Sequence, residues 1–235
     1  MPSLAHTQHE NLPKKAAHHA HIVFYPLLFL TLTLWILYRA LFQFPVWFDE
    51  ILGKALFFGL PVWIYATIAG AHSITAGFGL RKLQPGVLLG LAVGGIFGFS
   101  TSLLMIFTRG GQVETALLFT QDRFWSEFIL ALFTAFWETL LFFNFILTVA
   151  QEKYTEWSDA QHAVFAAAIF LLFHIPNTVL RFMNVPQAAQ TIFVQFAILF
   201  LFALGQAYLY IGRRNSYALV LSHALWGMVL LVNTW

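Results

Sequence analysis

The chain has 235 residues, of which 60% are hydrophobic and 9% charged, with a mean hydropathy of +0.75. Soluble domains carry roughly 25% charged residues, so the composition excludes a soluble globular protein and describes an integral membrane one. A formal charge of +2, with basic residues scattered over loops, argues against a nucleic-acid partner, and the absence of Cys excludes disulfides, a thiol nucleophile and a cysteine metal site.

Residues 1–21 read as a disordered polar tail with five His (His6, His9, His18, His19, His21) plus Lys14 and Lys15. Its His content allows weak metal binding, but a solvated tail is the simpler reading. Residues 22–235 read as one integral-membrane helical domain. The first apolar run is too long for a signal-peptide core and has no small-residue cleavage site after it, so it reads as a retained anchor. Seven hydrophobic spans are expected, over roughly 22–43, 55–73, 87–107, 127–150, 161–182, 191–211 and 215–235, each long enough to cross a bilayer as a helix. The fold class is therefore all-α, a polytopic bundle of about seven transmembrane helices, with an eighth, interfacial helix as an option.

Between the first two spans, FPVWFDEILGK reads as an interfacial stretch with Trp47 and Phe48 at headgroup depth. Span three carries Gly90, Gly94 and Gly98, a doubled small-xxx-small pattern that lets helices approach closely. Loop 108–126 is the longest, and its apolar middle reads as lying on the membrane surface. With the N-terminus cytoplasmic, Lys14, Lys15, Arg81, Lys82, Lys153, Arg213 and Arg214 fall inside, and Arg39, Lys54, Arg109, Arg123 and Arg181 fall outside. That excess of seven over five sets the expected orientation as N-in, C-out. The bilayer is expected to be a bacterial-type inner membrane or an organellar one.

Span four, EFILALFTAFWETLLFFNFILTVAQ, holds Glu138 near its middle. A carboxylate there costs on the order of 2.5–3.5 kcal/mol on insertion scales, so it needs a partner or a task. Span five holds His174 and span seven His223. Counted from the expected cytoplasmic ends, the three lie about 11, 13 and 8 residues in, or roughly 12–20 Å deep at 1.5 Å per residue. They share one slab of the membrane. Asn177, Thr178 and Arg181 continue a polar stripe from His174, and Pro176 beside it frees the carbonyl of Leu172. Ala131, Thr134 and Ala135 share the face of Glu138, and Gly227 lies one turn from His223; these small residues leave room for a polar cavity.

A Glu in an apolar setting makes a competent general base for water, one His can orient that water, and a second can donate to an oxyanion. The same three can instead ligate zinc with an open fourth position, although the H-E-x-x-H helix motif is absent and no further acid is visible to support the ligands. Aspartyl chemistry is excluded because no Asp falls in an expected span. Ser222 adjoins His223, so on a helix their side chains diverge. The plainer alternatives are hydrogen bonding between helices, axial ligation of haem or chlorophyll, and proton relay or cation binding in a transporter. Transporters commonly show internal repeats, and none is found here.

At these residues the sequence resembles the CPBP family, the CAAX-prenyl-protease and bacteriocin-processing glutamic intramembrane proteases that include the Ras-converting endopeptidase. The family's E-E-x-x-x-R motif corresponds to ETLLFF, with Glu138 in the first acidic place, Thr139 in the second and Phe143 in that of the Arg. F-x-x-x-H is matched by Phe170 and His174. H-x-x-x-N/D appears as His223 with Gly227 in the last place. The resemblance covers roughly 77–230, the CPBP-like core, including the glycine-rich stretch after Gly77. It implies an eight-helix or similar bundle with a membrane cavity in which Glu138 and a His activate water. It also implies that His223, with the Asn partner missing at Gly227, holds the oxyanion; Asn177 is the candidate stand-in.

The resulting expectation is an intramembrane endopeptidase acting on a membrane-associated peptide or lipidated protein, with Glu138, His174 and His223 catalytic. No cofactor is expected, and zinc is an option the residues allow but do not favour. Membrane lipids are its other partners, and nothing in the sequence specifies an oligomeric state. The alternative is a catalytically degenerate relative serving as a membrane scaffold or assembly factor.

Overall fold

The computed structural model describes residues 14–108, 124–184 and 186–232. Among these residues seven long helices form and no strand does: α1 (Lys14–Leu41), α2 (Val46–Ala69), α3 (Leu83–Thr108), α4 (Phe124–Lys153), α5 (Asp159–Phe182), α6 (Ala188–Arg213) and α7 (Ser216–Val232). The first six are long and apolar enough to cross a membrane, and α7 adds 17 described residues. The chain is a polytopic helical membrane protein. Residues 1–13 of the expected tail, and most of the 108–126 loop, lie outside the described residues. From Lys14 the chain is helical, eight residues before the span start that hydropathy places at 22.

One expected boundary is wrong, and the error matters. The second span does not begin at 55 after an interfacial stretch; its helix starts at Val46, so Asp49, Glu50 and Lys54 belong to its first turns. Hydropathy reads three charges in six residues as headgroup sequence, yet each is paired inside the bundle. Asp49 is buried, where it accepts from the Tyr38 hydroxyl at 2.5 Å and pairs with Arg39, tying the end of α1 to the start of α2. An Asp does therefore lie in a span, but its carboxylate is occupied at this corner. Moving Lys54 off the outside also changes the charge bias from seven against five to seven against four.

Two helices depart from α geometry. In α2 the segments Asp49–Gly53 and Ala55–Gly59 are π-helical, and in α4 the turns Thr139–Leu147 are π-helical, with i→i+5 hydrogen bonds in place of i→i+4. These wider turns flank Lys54 and begin immediately after Glu138.

The packing follows from residue size. Gly90 and Gly94 of α3 lie against Ala218, Leu221, Ser222 and Leu225 of α7, so closely that a Cβ at Gly90 would come within 2.9 Å of the Ala218 carbonyl oxygen. The small-xxx-small pattern thus serves helix contact. Ala131 and Ala135 of α4 pack on Ala224 and Met228 of α7, so these small residues close the α4–α7 seam; they were expected to leave open space. Helix α5 opens with a capping box in which the Ser158 hydroxyl and the Gln161 side chain satisfy each other's backbone N–H groups. Asn215 caps α7 by accepting from the N–H groups of Tyr217 and Ala218, so α6 and α7 form a tight hairpin. The segment between α2 and α3 tucks under the bundle: Asn144 donates to the Ile74 carbonyl and accepts from Ser216, while Tyr217 donates to the Phe78 carbonyl. Backbone groups that lipid leaves unsatisfied are met by α4 and α7.

Candidate active site

Glu138 ends the α-helical part of α4, midway along the span, and only 3% of its surface is exposed. The two His predicted to accompany it come from α5 and α7. His223 Nε2 lies 3.4 Å and His174 Nε2 3.7 Å from the same carboxylate oxygen, Oε2. The structure brings all three together, and Oε2 is buried with no hydrogen-bond partner of its own. Buried polar atoms are almost always paired, so an orphan oxygen facing two imidazoles is the feature that makes this a candidate site.

The imidazoles are not equivalent. His174 Nδ1 lies 2.8 Å from the Phe170 carbonyl oxygen. A carbonyl only accepts, so in the neutral ring Nδ1 carries the proton and Nε2 presents a lone pair to Glu138. The spacing F-x-x-x-H thereby has a physical basis: one turn of helix brings the Phe170 carbonyl under Nδ1 and the Phe170 ring onto the imidazole, centroids 4.1 Å apart and 23° from parallel. His223 Nδ1 is buried without a partner. The neutral tautomer that suits a neighbouring carboxylate puts the proton on Nε2, so this ring offers an N–H where the other offers a lone pair. Phe202 holds it edge-on at 4.8 Å and itself stacks on Trp226 at 3.9 Å.

Sequence reasoning missed two residues. Lys54 donates from Nζ to Glu138 Oε1 at 2.6 Å and pairs with Glu50 one turn away on α2; its side chain is 5% exposed. Glu50 accepts from the Thr134 hydroxyl at 2.6 Å, one turn before Glu138 on α4. The available signal was the i,i+4 Glu–Lys spacing beside a long apolar run. Gly59 assists, since its missing Cβ lets the Trp137 ring lie directly on α2.

The divergent motif positions are filled in other ways. Phe143, where the motif has Arg, is fully buried and its ring faces Phe170 at 6.4 Å. The Thr139 hydroxyl and Asn177 Oδ1 are buried without partners. Nothing lies within 4 Å of where a Cβ at Gly227 would stand. Beside the site, a cavity of about 1270 Å³ lies between α2 and α4, lined by Gly59, Trp63, Ala66, Leu132, Phe136 and Leu140 among others. It meets the site through Trp137, the neighbour of Glu138.

Residues 120–229 match the family described as type II CAAX prenyl endopeptidase Rce1-like. No curated protein matches the chain, and no solved structure does. The matched segment, just under half of the chain, contains Glu138, His174 and His223 but neither Glu50 nor Lys54. Over that segment the chain is similar to the CAAX-type membrane endopeptidases of the CPBP family.

Proposed function

We propose that the protein is an intramembrane endopeptidase of glutamic type, hydrolysing a peptide bond in a membrane-associated or lipidated substrate. The observation that carries this reading is the unpartnered Glu138 Oε2 between a ring presenting a lone pair and a ring presenting an N–H. A water seated there donates one hydrogen to Oε2 and the other to His174 Nε2, which leaves its own lone pair free for the substrate carbonyl carbon. As the C–O bond forms, a water proton passes to Glu138 and the carbonyl π electrons move onto oxygen. His223 Nε2–H stabilises that oxyanion. Glu138 then hands its proton to the departing amine nitrogen as the C–N bond breaks.

Zinc is not favoured. No group of three His, Asp or Glu side chains among the described residues is placed to hold a metal ion, and the Lys54 ammonium 2.6 Å from Oε1 opposes a divalent charge at the same carboxylate. Strong chelators are expected to leave the rate unchanged; activity that is lost on chelation and restored by zinc would reverse this assignment.

The α2–α4 cavity suits the apolar part of a lipidated substrate, and the charge bias favours a cytoplasmic N-terminus. A bacterial-type inner membrane or an organellar one fits this architecture. The deciding comparison is Glu138→Gln in a processing assay. The variant keeps shape and expression, and processing should fall by at least ~10³-fold, as for loss of a general base and its positioned water. Unchanged processing would instead assign the bundle to scaffolding.

A further inference from the structure

We propose that Lys54 and Glu50 form a positioning pair, contributed by a helix outside the matched segment, that sets the working orientation of Glu138. The inference rests on the hydrolase reading above. The ammonium of Lys54 engages only Oε1 of Glu138, at 2.6 Å. A carboxylate held by one oxygen has its other oxygen aimed, and here that oxygen is the one facing both imidazoles. Lys54 is held in turn: Glu50 pairs with it one turn back on α2. Glu50 is itself fixed by the Thr134 hydroxyl at 2.6 Å. Thr134 and Glu138 are one turn apart on α4, as Glu50 and Lys54 are on α2. The four side chains therefore close a ring that locks the rotation of one helix against the other.

Helix α4 itself offers no cation for this purpose. Between Glu127 and Glu152 its only ionisable residue is Glu138, and the position where the motif has Arg holds the buried ring of Phe143. The π-helical segments Asp49–Gly53 and Ala55–Gly59 bracket Lys54 on its helix, an irregularity found often at functional sites. Replacing Lys54 leaves the carboxylate buried without its counter-charge and free to rotate. A displacement of about 1 Å at a reacting group costs on the order of 10²-fold in rate.

The test uses the full-length protein in detergent or vesicles with a lipidated peptide. Lys54→Met should lower kcat by about 10²-fold with KM unchanged, Lys54→Arg should recover most of it, and Glu50→Gln should give a smaller loss in kcat alone. Thermal unfolding of Lys54→Met, Glu138→Gln and the double variant is read alongside. If Lys54 serves Glu138, Lys54→Met melts below the wild type and the double variant melts above Lys54→Met, because the stranded carboxylate is gone. Wild-type kcat in Lys54→Met beside an inactive Glu138→Gln would overturn this inference and leave the hydrolase reading standing. Activity retained in Glu138→Gln would overturn the hydrolase reading and this inference with it, whatever the melting showed of the ion pair. If Lys54→Met does not fold, the remaining variants decide: an active Lys54→Arg with a depressed kcat in Glu50→Gln supports the pair, and an unaffected Glu50→Gln refutes it.

Discussion

At Glu138 the two carboxylate oxygens have separate duties: Oε1 is bound to an ammonium while Oε2 faces the imidazoles. Each imidazole is held by an aromatic ring, so its direction is set before any substrate arrives. Phe170 is the more heavily used of these, through both its carbonyl and its ring. Phe170→Leu keeps the carbonyl and removes the stack, and turnover is expected to fall about 10-fold as the imidazole shifts by a fraction of an ångström, with a lowered melting temperature because Phe170 is fully buried in the core. Gly227 points the other way. It lies one turn from His223 and its Cβ position is open, so Gly227→Asn can place an amide donor beside the oxyanion. Loss of one such donor costs 10²–10³-fold elsewhere; restoring it is expected to raise kcat at least ~10-fold, measured on the purified protein, and an unchanged kcat would show that the oxyanion lies out of its reach. Glu138, His174 and His223 were legible because an ionisable residue stands out in twenty apolar neighbours. Lys54 and Glu50 were not, because charges near the end of an apolar run look like the ordinary edge of a span.

At the scale of helices, the seven expected spans fall on the seven long helices, six of which are long and apolar enough to cross a membrane, and the span start misread by hydropathy was that of α2. The glycine spacing of α3 was also readable, since its meaning is steric and local. Gly90→Val would drive a branched side chain into Leu221 and the Ala218 carbonyl, and overpacking of this kind costs about 1–3 kcal/mol. A lowered melting temperature is expected, with a fall in activity as α7 and its His223 shift. The π-helical turns had no readable signal, because widening a helix leaves apolar composition and length untouched. Facing arguments at the α period therefore hold before Glu138 and lose their register after it.

Over the whole molecule, the candidate site is divided between two parts of the chain. The segment 120–229 holds the carboxylate and both imidazoles, while α2 supplies the counter-charge and one wall of the lateral cavity. That cavity is almost entirely apolar and opens between the helices that carry Lys54 and Glu138. Filling it with Leu132→Trp is expected to raise KM severalfold for a lipidated peptide and leave KM for the same peptide without its lipid unchanged. Equal effects on both would mean that the lipid lies elsewhere.

The nine widened residues from Thr139 to Leu147 carry a consequence for how the chain tolerates change in length. Wide turns of this kind hold an extra residue between flanking α-helical turns, so a single deletion among them lets the segment relax to ordinary α hydrogen bonds with those flanks close to their present register. Glu138 then still faces both rings. A deletion in the α-helical turns before Glu138 has no such reserve: one residue fewer turns everything upstream by about 100° around the axis, at 3.6 residues per turn. Thr134 would then swing away from Glu50, while span length and hydropathy stayed almost the same.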